Sequence, residues 1–170
     1  SGSLTITSVS NPAIVLNPSN NKIYIFGAGT APTLVKSSSD YNSFSGATSF
    51  SSISLASLSA SLYWKAFGIG PDGKLFVGGA SSGKSVANST DDGSSWTTVS
   101  TGINGTFGPN IVCGGTASSY YVYFASCYSS DIGTSWVNFG NAGLETHSND
   151  GTNIVDPNKS SIVYLTSDQG

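Results

Sequence analysis

The stretch STDDGSSWTTV, residues 89–99, places a serine, an aspartate, a glycine and a tryptophan at fixed offsets, in the pattern S-x-D-x-G-x-x-W. The stretch SSDIGTSWVNF, residues 129–139, repeats this pattern 40 positions later (131 minus 91). The chain has three tryptophans, and these two stretches contain two of them. A pattern that returns at a fixed interval is typical of an architecture built from similar units.

Four further stretches share one outline: a short apolar run, a turn of Pro, Gly or Asn, and a second apolar run. They cover residues 13–29, 66–80, 110–126 and 153–170. This outline is typical of a β-hairpin. An aspartate-containing segment follows each of the first three hairpins, and the one after the first hairpin is degenerate. There Asp40 is present, but Asn42 takes the place of the glycine and Phe44 arrives one position early.

Each unit therefore has the order strand, turn, strand, turn, strand, aspartate turn, strand. Four short antiparallel strands in roughly 40 to 45 residues match the size of a propeller blade. The predicted units are 1–65, 66–107, 108–146 and a partial unit, 147–170. Asp168 follows Pro157 by only 11 positions (168 minus 157), whereas Asp91 follows Pro71 by 20 (91 minus 71). We therefore expect the last unit to be incomplete.

The two tryptophan motifs resemble Asp boxes, also called BNR repeats, of the Asp-box β-propeller family. In that family the box forms the turn between the third and fourth strands of a blade. The resemblance extends over nearly the whole chain and implies an all-β propeller of four-stranded antiparallel blades, of which about three and a half are present. An open ring exposes apolar faces and strand edges. The resemblance therefore implies that another protein chain, or the remainder of a longer polypeptide, completes the ring.

The residue types of the motif suit a tight turn. The aspartate can accept hydrogen bonds from backbone amides that have no ladder partner, glycine permits a positive φ, and tryptophan can bury a large ring between neighbouring sheets. We expect these structural roles for Ser89, Asp91, Gly93, Trp96, Ser129, Asp131, Gly133, Trp136 and Asp40. The acidic spacing of a calcium loop is missing, so the sequence predicts no metal site and no cofactor.

The scarcity of charged residues and the lack of a long apolar run argue against several classes of function. Charged residues make up 9% of the chain, the net charge is −3, and there is no arginine. Binding of nucleic acid needs clustered Lys or Arg, so no nucleic-acid partner is predicted. Sialidases share Asp boxes but hold the substrate carboxylate with an arginine cluster, which disfavours that activity here. No apolar run approaches the ~20 residues of a membrane helix, so no membrane insertion is predicted.

Few residues offer acid–base chemistry. Asp-box glycosidases that cleave xyloglucan-type polysaccharides use two carboxylates as acid and base. The segment GLETHSND contains Glu145 and His147, the only glutamate and the only histidine of the chain. With Asp72 of the turn GPDGK they are weak catalytic candidates. Their spacing matches no metal motif, and an ordinary loop is the favoured interpretation.

The segment SLYWKAF offers a candidate carbohydrate-binding platform. Trp64 lies outside both tryptophan motifs, so the motif does not explain it, and Tyr63 precedes it. An aromatic side chain that enters an inner strand is more often part of the core.

The two cysteines, Cys113 and Cys127, raise opposing expectations. An even count in an oxidising compartment favours a disulfide. The strand interpretation opposes it, because Cys113 would end one strand and Cys127 would follow the far end of the next, beyond the ~7 Å between Cα atoms that a bridge allows. On balance the sequence predicts a bond and a less regular third unit.

Low lysine content, abundant hydroxyl groups and three N-x-S/T sequons favour a secreted or cell-surface glycoprotein. Asn104 and Asn158 lie in turn-like stretches and are stronger glycan candidates than Asn88, which directly precedes a tryptophan motif. The leading prediction is a non-catalytic extracellular protein with a structural, adhesive or assembly role. Two alternatives stay open: a secreted polysaccharide-active glycoside hydrolase of the Asp-box type, and a carbohydrate-binding lectin. Propellers host all three.

Overall fold

A computed structural model describes residues 10–44, 48–81, 84–103, 110–139 and 153–165 of the chain. In these residues one short 3-10 helix, Tyr41–Ser43, accompanies fourteen β-strands. Within each sheet every strand pairs antiparallel with the strand next to it in sequence. The prediction of an all-β protein is therefore confirmed.

Four sheets follow one another along the chain. The first contains β1 to β4, which are Ser10–Leu16, Ile23–Ala28, Thr33–Ser37 and Phe50–Ile53. The second contains β5 to β8, which are Leu62–Ile69, Leu75–Ser81, Lys84–Ser89 and Thr97–Val99. The third contains β9 to β12, which are Ile111–Thr116, Ser119–Phe124, Cys127–Ser129 and Val137–Asn138. The fourth has two strands, β13 and β14, which are Asn153–Asp156 and Lys159–Leu165. The predicted border at residue 65 falls inside β5.

The turn between β5 and β6 shows how the sequence ends one strand and begins the next. Pro71 has no amide hydrogen and a fixed φ, so the ladder stops there. The amide of Gly70 donates to the carbonyl of Lys74 at 2.8 Å and closes the hairpin.

The first core lies between the first and second sheets. Phe26 of β2 stacks on Phe67 of β5, with ring centroids 5.6 Å apart and an interplanar angle of 15°. Tyr24, two residues before Phe26, is also fully buried in this core. Successive side chains of a strand point to opposite faces, so Ile23 and Ile25 lie on the other side of the sheet.

The second core lies between the second and third sheets. Phe76 of β6 meets Tyr120 of β10 edge to face, with centroids 6.5 Å apart. A Cβ on Gly78 would lie 2.5 Å from the ring of Phe124, so the two sheets approach too closely for any side chain at that position.

Successive sheets pack on one another in chain order. Strand β5 contacts β1 and β2, β9 contacts β5 and β6, and both β13 and β14 contact β9. The Tyr123 hydroxyl of the third sheet donates to the carbonyl of Ser160 in the fourth at 2.9 Å. The four sheets therefore form a row in which each sheet covers a face of the one before.

The predicted disulfide is wrong. Cys113 and Cys127 are thiols in the structure, with no bond between them. Cys113 lies in β9 and Cys127 in β11, and these strands flank β10 on opposite edges. Strands are spaced about 4.8 Å apart, so two such steps exceed the reach of a bridge.

Candidate functional site

Two turns, residues 89–96 and 129–136, share one hydrogen-bond pattern and are named here the first and second aspartate turns. In the first, the Gly93 amide donates to Ser89 Oγ at 2.8 Å, and Ser89 Oγ donates to Asp91 Oδ1 at 2.8 Å. The Ser95 amide donates to Asp91 Oδ1 at 2.8 Å, and the Ser95 hydroxyl donates to Oδ2 at 2.6 Å. The second turn repeats these bonds at 2.8, 2.7, 2.8 and 2.6 Å. Each turn joins the third and fourth strands of its sheet.

Each aspartate turn contains two consecutive residues with positive φ. These are Asp92 at +60° and Gly93 at +88°, and Ile132 at +62° and Gly133 at +81°. A Cβ on Gly133 would lie 2.5 Å from Cε1 of Phe76. Glycine is therefore required at this point by both the backbone and the space.

The hydrogen bonds hold both carboxylates in their charged form. Bonds from the hydroxyl and the amide of Ser95, and from the Ser89 hydroxyl, lower the pKa of Asp91 to about 2. Desolvation by itself raises the pKa of Asp131, but the equivalent bonds from Ser135 and the other donors of that turn outweigh it and lower this pKa also to about 2. A carboxyl group held ionised in this way is suited to a structural role and is a poor general acid.

The two motif tryptophans pack against the preceding sheet. Trp96 is half-buried against the first core, and its indole N–H donates to the carbonyl of Ser54 at 3.2 Å. Trp136 is buried in the second core, with 6% of its surface exposed. Its Nε1 has no hydrogen-bond partner within the part of the chain that the structure describes.

Asp40 occupies the corresponding place between β3 and β4 but does not reproduce the pattern. It precedes the 3-10 helix Tyr41–Ser43, and its side chain makes no capping hydrogen bond. Phe44, at the degenerate tryptophan position, is 42% exposed. This segment lacks the glycine and has a shorter spacing, and among the described residues no sheet precedes the first one; Phe44 instead lies edge to face with Phe50 of β4.

Asp92 ties the second sheet to the first, and the motif gives no signal of it. Its carboxylate pairs with Lys36 of β3 and accepts a hydrogen bond from the Tyr24 hydroxyl. Burial, followed by the bond to Asp92, raises the pKa of Tyr24 to about 12. The equivalent position of the second turn is Ile132, which can form neither bond. A variable position inside a repeat carries no periodic signal, so sequence reasoning missed this contact.

Of the three catalytic candidates, Glu145 and His147 lie outside the described residues. Asp72 Oδ1 accepts from the Tyr120 hydroxyl at 2.8 Å and from the amide of Lys74 at 2.9 Å. Asp72 and Asp92 line part of a polar cleft of about 150 Å³. Each carboxylate accepts a hydrogen bond from a tyrosine hydroxyl, Asp72 from Tyr120 and Asp92 from Tyr24. Among the described residues no group of three or more His, Cys, Asp and Glu side chains could hold a metal ion.

The structure places Trp64 in the core, which is the interpretation that the sequence favours, and not on a carbohydrate-binding platform with Tyr63. Trp64 is fully buried in the first core, and its indole N–H donates to the carbonyl of Ser59 at 2.9 Å. Tyr63 is partly buried against the same core. The Trp64 ring is enclosed because β5 lies between two packed sheets, so it offers no face to a sugar.

A cleft that sequence reasoning did not single out lies between the third and fourth sheets; we name it the tyrosine cleft. Its aromatic wall consists of Tyr121, Tyr123, Tyr128 and Phe139, and its volume is about 570 Å³. The rings of Tyr121 and Tyr123 stack at 6.1 Å and 15°, and Tyr128 and Phe139 stack at 6.3 Å and 24°. The opposite wall comes from β14. The alternation of Tyr121 and Tyr123 along β10 places both on one face, but only strand pairing brings Tyr128 opposite Tyr123.

Apolar side chains are exposed at both ends of the row of sheets. The first end face contains Ile14 and Leu16 of β1, which are 70% and 52% exposed. The second end face contains Ile154 of β13 with its cross-strand partner Tyr164, at 54% and 56%. Ile162 of β14, 38% exposed, lies at the border between this face and the tyrosine cleft, which it also lines. On both end faces the exposed apolar residues are two positions apart along a strand, as in a sheet whose apolar face is covered by another layer.

The sequons differ in access. Asn88 is 9% exposed within β7, so the prediction of a glycan there is wrong, because an acceptor amide must reach solvent. Asn158 is exposed in the turn between β13 and β14, where its backbone N–H donates to Asp156 Oδ1 at 2.8 Å. Asn104 lies outside the described residues.

Comparison of the chain with protein-family models, with curated proteins and with solved structures gave no match. Within the described residues no helix has the length and apolar character needed to cross a membrane.

Proposed function

We propose that this chain is a non-catalytic protein of the cell surface or the extracellular space with a structural, adhesive or assembly role. The observation that carries the proposal is the pair of apolar end faces. Ile14 and Ile154 are each more than half exposed, at opposite ends of the row. A contiguous apolar sheet face on a protein surface marks an interaction site.

The interior of the molecule shows what such a face does when it is covered. Tyr24 and Phe26, on the opposite side of β2 from the first end face, are fully buried against the second sheet. Full burial of a large aliphatic side chain contributes about 1.5–3 kcal/mol. A partner that covered both end faces would gain this contribution several times over, before the costs of association.

We also propose that the row of sheets is part of an Asp-box β-propeller. Three features support this: four-stranded antiparallel sheets in chain order, contacts between the first strands of successive sheets, and aspartate turns between third and fourth strands. In such an arrangement the two end faces are the surfaces that the rest of the ring would cover. The partner is another protein chain or a further part of a longer polypeptide.

The extracellular setting is proposed on surface chemistry. Charged residues are only 9% of the chain, and the exposed Asn158 sequon offers a glycan site at a hairpin tip. The residues that the sequence offers for the two alternatives give them less support, because Asp72 is held in a structural turn and Trp64 is enclosed in the core.

Sedimentation velocity on the purified chain tests the assembly role. We expect the wild-type chain to associate with rising concentration, because the end faces of one copy can cover those of another. Ile14→Lys and Ile154→Lys should each weaken that association, since burying an unpaired ammonium group is costly. Thr98→Lys is the control, because Thr98 is exposed on β8 of the second sheet, which lies inside the row and away from both end faces. A wild-type chain that stays monomeric at its solubility limit, or equal behaviour of all three variants, would contradict the proposal.

A further inference from the structure

We propose that the outer edge of β14 and the tyrosine cleft accept an extended peptide strand from a partner polypeptide, which adds to the fourth sheet as its third strand. This inference rests on the proposed assembly role and names how the partner is held.

The second strands of the first three sheets are paired on both edges, whereas the second strand of the fourth sheet, β14, is paired on only one edge among the described residues. In the first three sheets the second strand pairs with a third strand, namely β2 with β3, β6 with β7 and β10 with β11. Strand β14 pairs with β13, and no strand among the described residues pairs with its other edge. An unpaired edge presents a row of backbone N–H and C=O groups, which is a template for an added strand.

The internal interfaces show what a third strand contributes. Strand β7 places Ala87 in the first core, and β11 places Cys127 in the second core; both side chains have no exposed surface. Each of these small side chains faces the sheet that comes before. At the corresponding position of the fourth sheet the structure has the tyrosine cleft, with Tyr128 and Phe139 left half-buried. The cleft is therefore the space that a third strand of the fourth sheet would fill.

The lining of the cleft indicates the chemistry of the strand. Tyrosine, phenylalanine, serine, isoleucine and valine line it, and no charged side chain does. Its volume of about 570 Å³ lies within the roughly 300–1,000 Å³ typical of ligand sites. The inward side chains of the strand should be small or apolar, as Ala87 and Cys127 are, and the outward ones polar. Strand β14 has seven residues, so a peptide strand that pairs along its whole length needs about seven residues as well.

A neutral oligosaccharide is the rival occupant, because tyrosine rings can stack against a sugar. The open edge of β14 decides between the two occupants. A sugar would use the rings and leave the backbone groups of that edge unpaired, whereas a peptide strand uses both.

The test adds a synthetic peptide with the sequence of residues 84–99 to the full chain. This peptide contains β7, the first aspartate turn and β8, which are the third and fourth strands of the second sheet. We expect saturating peptide to slow hydrogen exchange of β14 amides. The control peptide carries Ala87→Pro, which removes a ladder donor and should abolish the protection.

Two variants of the full chain locate the binding. Tyr128→Ala removes a ring from the cleft and should weaken peptide binding about tenfold. Tyr41→Ala is the matched control, because this tyrosine is 39% exposed in the 3-10 helix between β3 and β4 of the first sheet, away from the cleft, and the variant should bind the peptide as the wild type does. Hydrogen exchange of β6 in both variants checks that they remain folded.

Three outcomes would overturn the inference. They are unchanged β14 exchange at saturating peptide, equal binding of the proline peptide, and cellohexaose shifting the Tyr121 and Tyr128 resonances where the peptide does not. If association in sedimentation velocity persists alongside any of these, the assembly role stands and only the strand-addition inference fails.

Discussion

Ser129 connects the backbone and the carboxylate of the second aspartate turn. Its hydroxyl accepts from the buried amide of Gly133 at 2.8 Å and donates to Asp131 at 2.7 Å. Ser129→Ala leaves the Gly133 amide without a partner, so we expect a loss of about 1–3 kcal/mol in the free energy of unfolding. Ser135→Ala removes one exposed bond to the same carboxylate and should cost less. Urea denaturation measures both, and equal losses would mean that Ser129 does not hold the turn.

The carboxylates of Asp91 and Asp131 should make the free energy of unfolding fall in acid. Their pKa in the folded protein is about 2, below the ordinary 3.8, so the unfolded chain binds protons more readily. Their contribution is fully present above pH 3.8 and should be lost as the pH falls toward 2. Urea midpoints across this window should fall less steeply for Asp131→Asn than for the wild type. Asp40→Asn is the control, since the Asp40 side chain makes no capping bond, and a slope as reduced as that of Asp131→Asn would contradict this account.

The role of a residue can be predicted from the sequence when its bonding partners lie within the same short motif. The bonds within residues 89–96 span at most four positions, so the motif itself contains donor and acceptor together. The contact between Tyr24 and Asp92 spans 68 positions and arises only when two sheets pack. Trp64 shows the opposite case, because its place in an inner strand already favours the core, where it is fully buried.

At the scale of the element, alternation and turn residues predict strands well. The hairpins at 13–29, 66–80 and 110–126 each contain two paired strands, because apolar alternation and turn chemistry act over a few residues. The tyrosine cleft could not be predicted in the same way. Phe139 follows β12 and Tyr121 lies in β10, and the register of β11 between them is what gathers their rings on one wall.

The second aspartate turn also depends on the close approach of its glycine to the second sheet. Gly133→Ala combines an unfavourable positive φ with a clash at Phe76, so we expect a loss of about 1–3 kcal/mol or more in the free energy of unfolding. Gly29→Ala is the control, because a Cβ there would meet nothing closer than 3.6 Å. Chemical denaturation of both variants gives the comparison. A Gly133→Ala protein as stable as the Gly29→Ala protein would show that this turn tolerates a side chain.

At the scale of the whole molecule, stability should decline from the middle of the row toward its last sheet. Strand β6 has neighbours on both edges and buries Leu75, Phe76 and Val77 completely, whereas β14 has one paired edge and exposes Tyr164 by 56%. Segments with few buried contacts and open backbone edges unfold locally at low cost. In native-state hydrogen exchange we therefore expect β14 amides to exchange on the order of a hundredfold faster than β6 amides. Equal protection of the two strands in the monomer would mean that the fourth sheet already has its missing neighbour, and that its outer edge is not open to a partner.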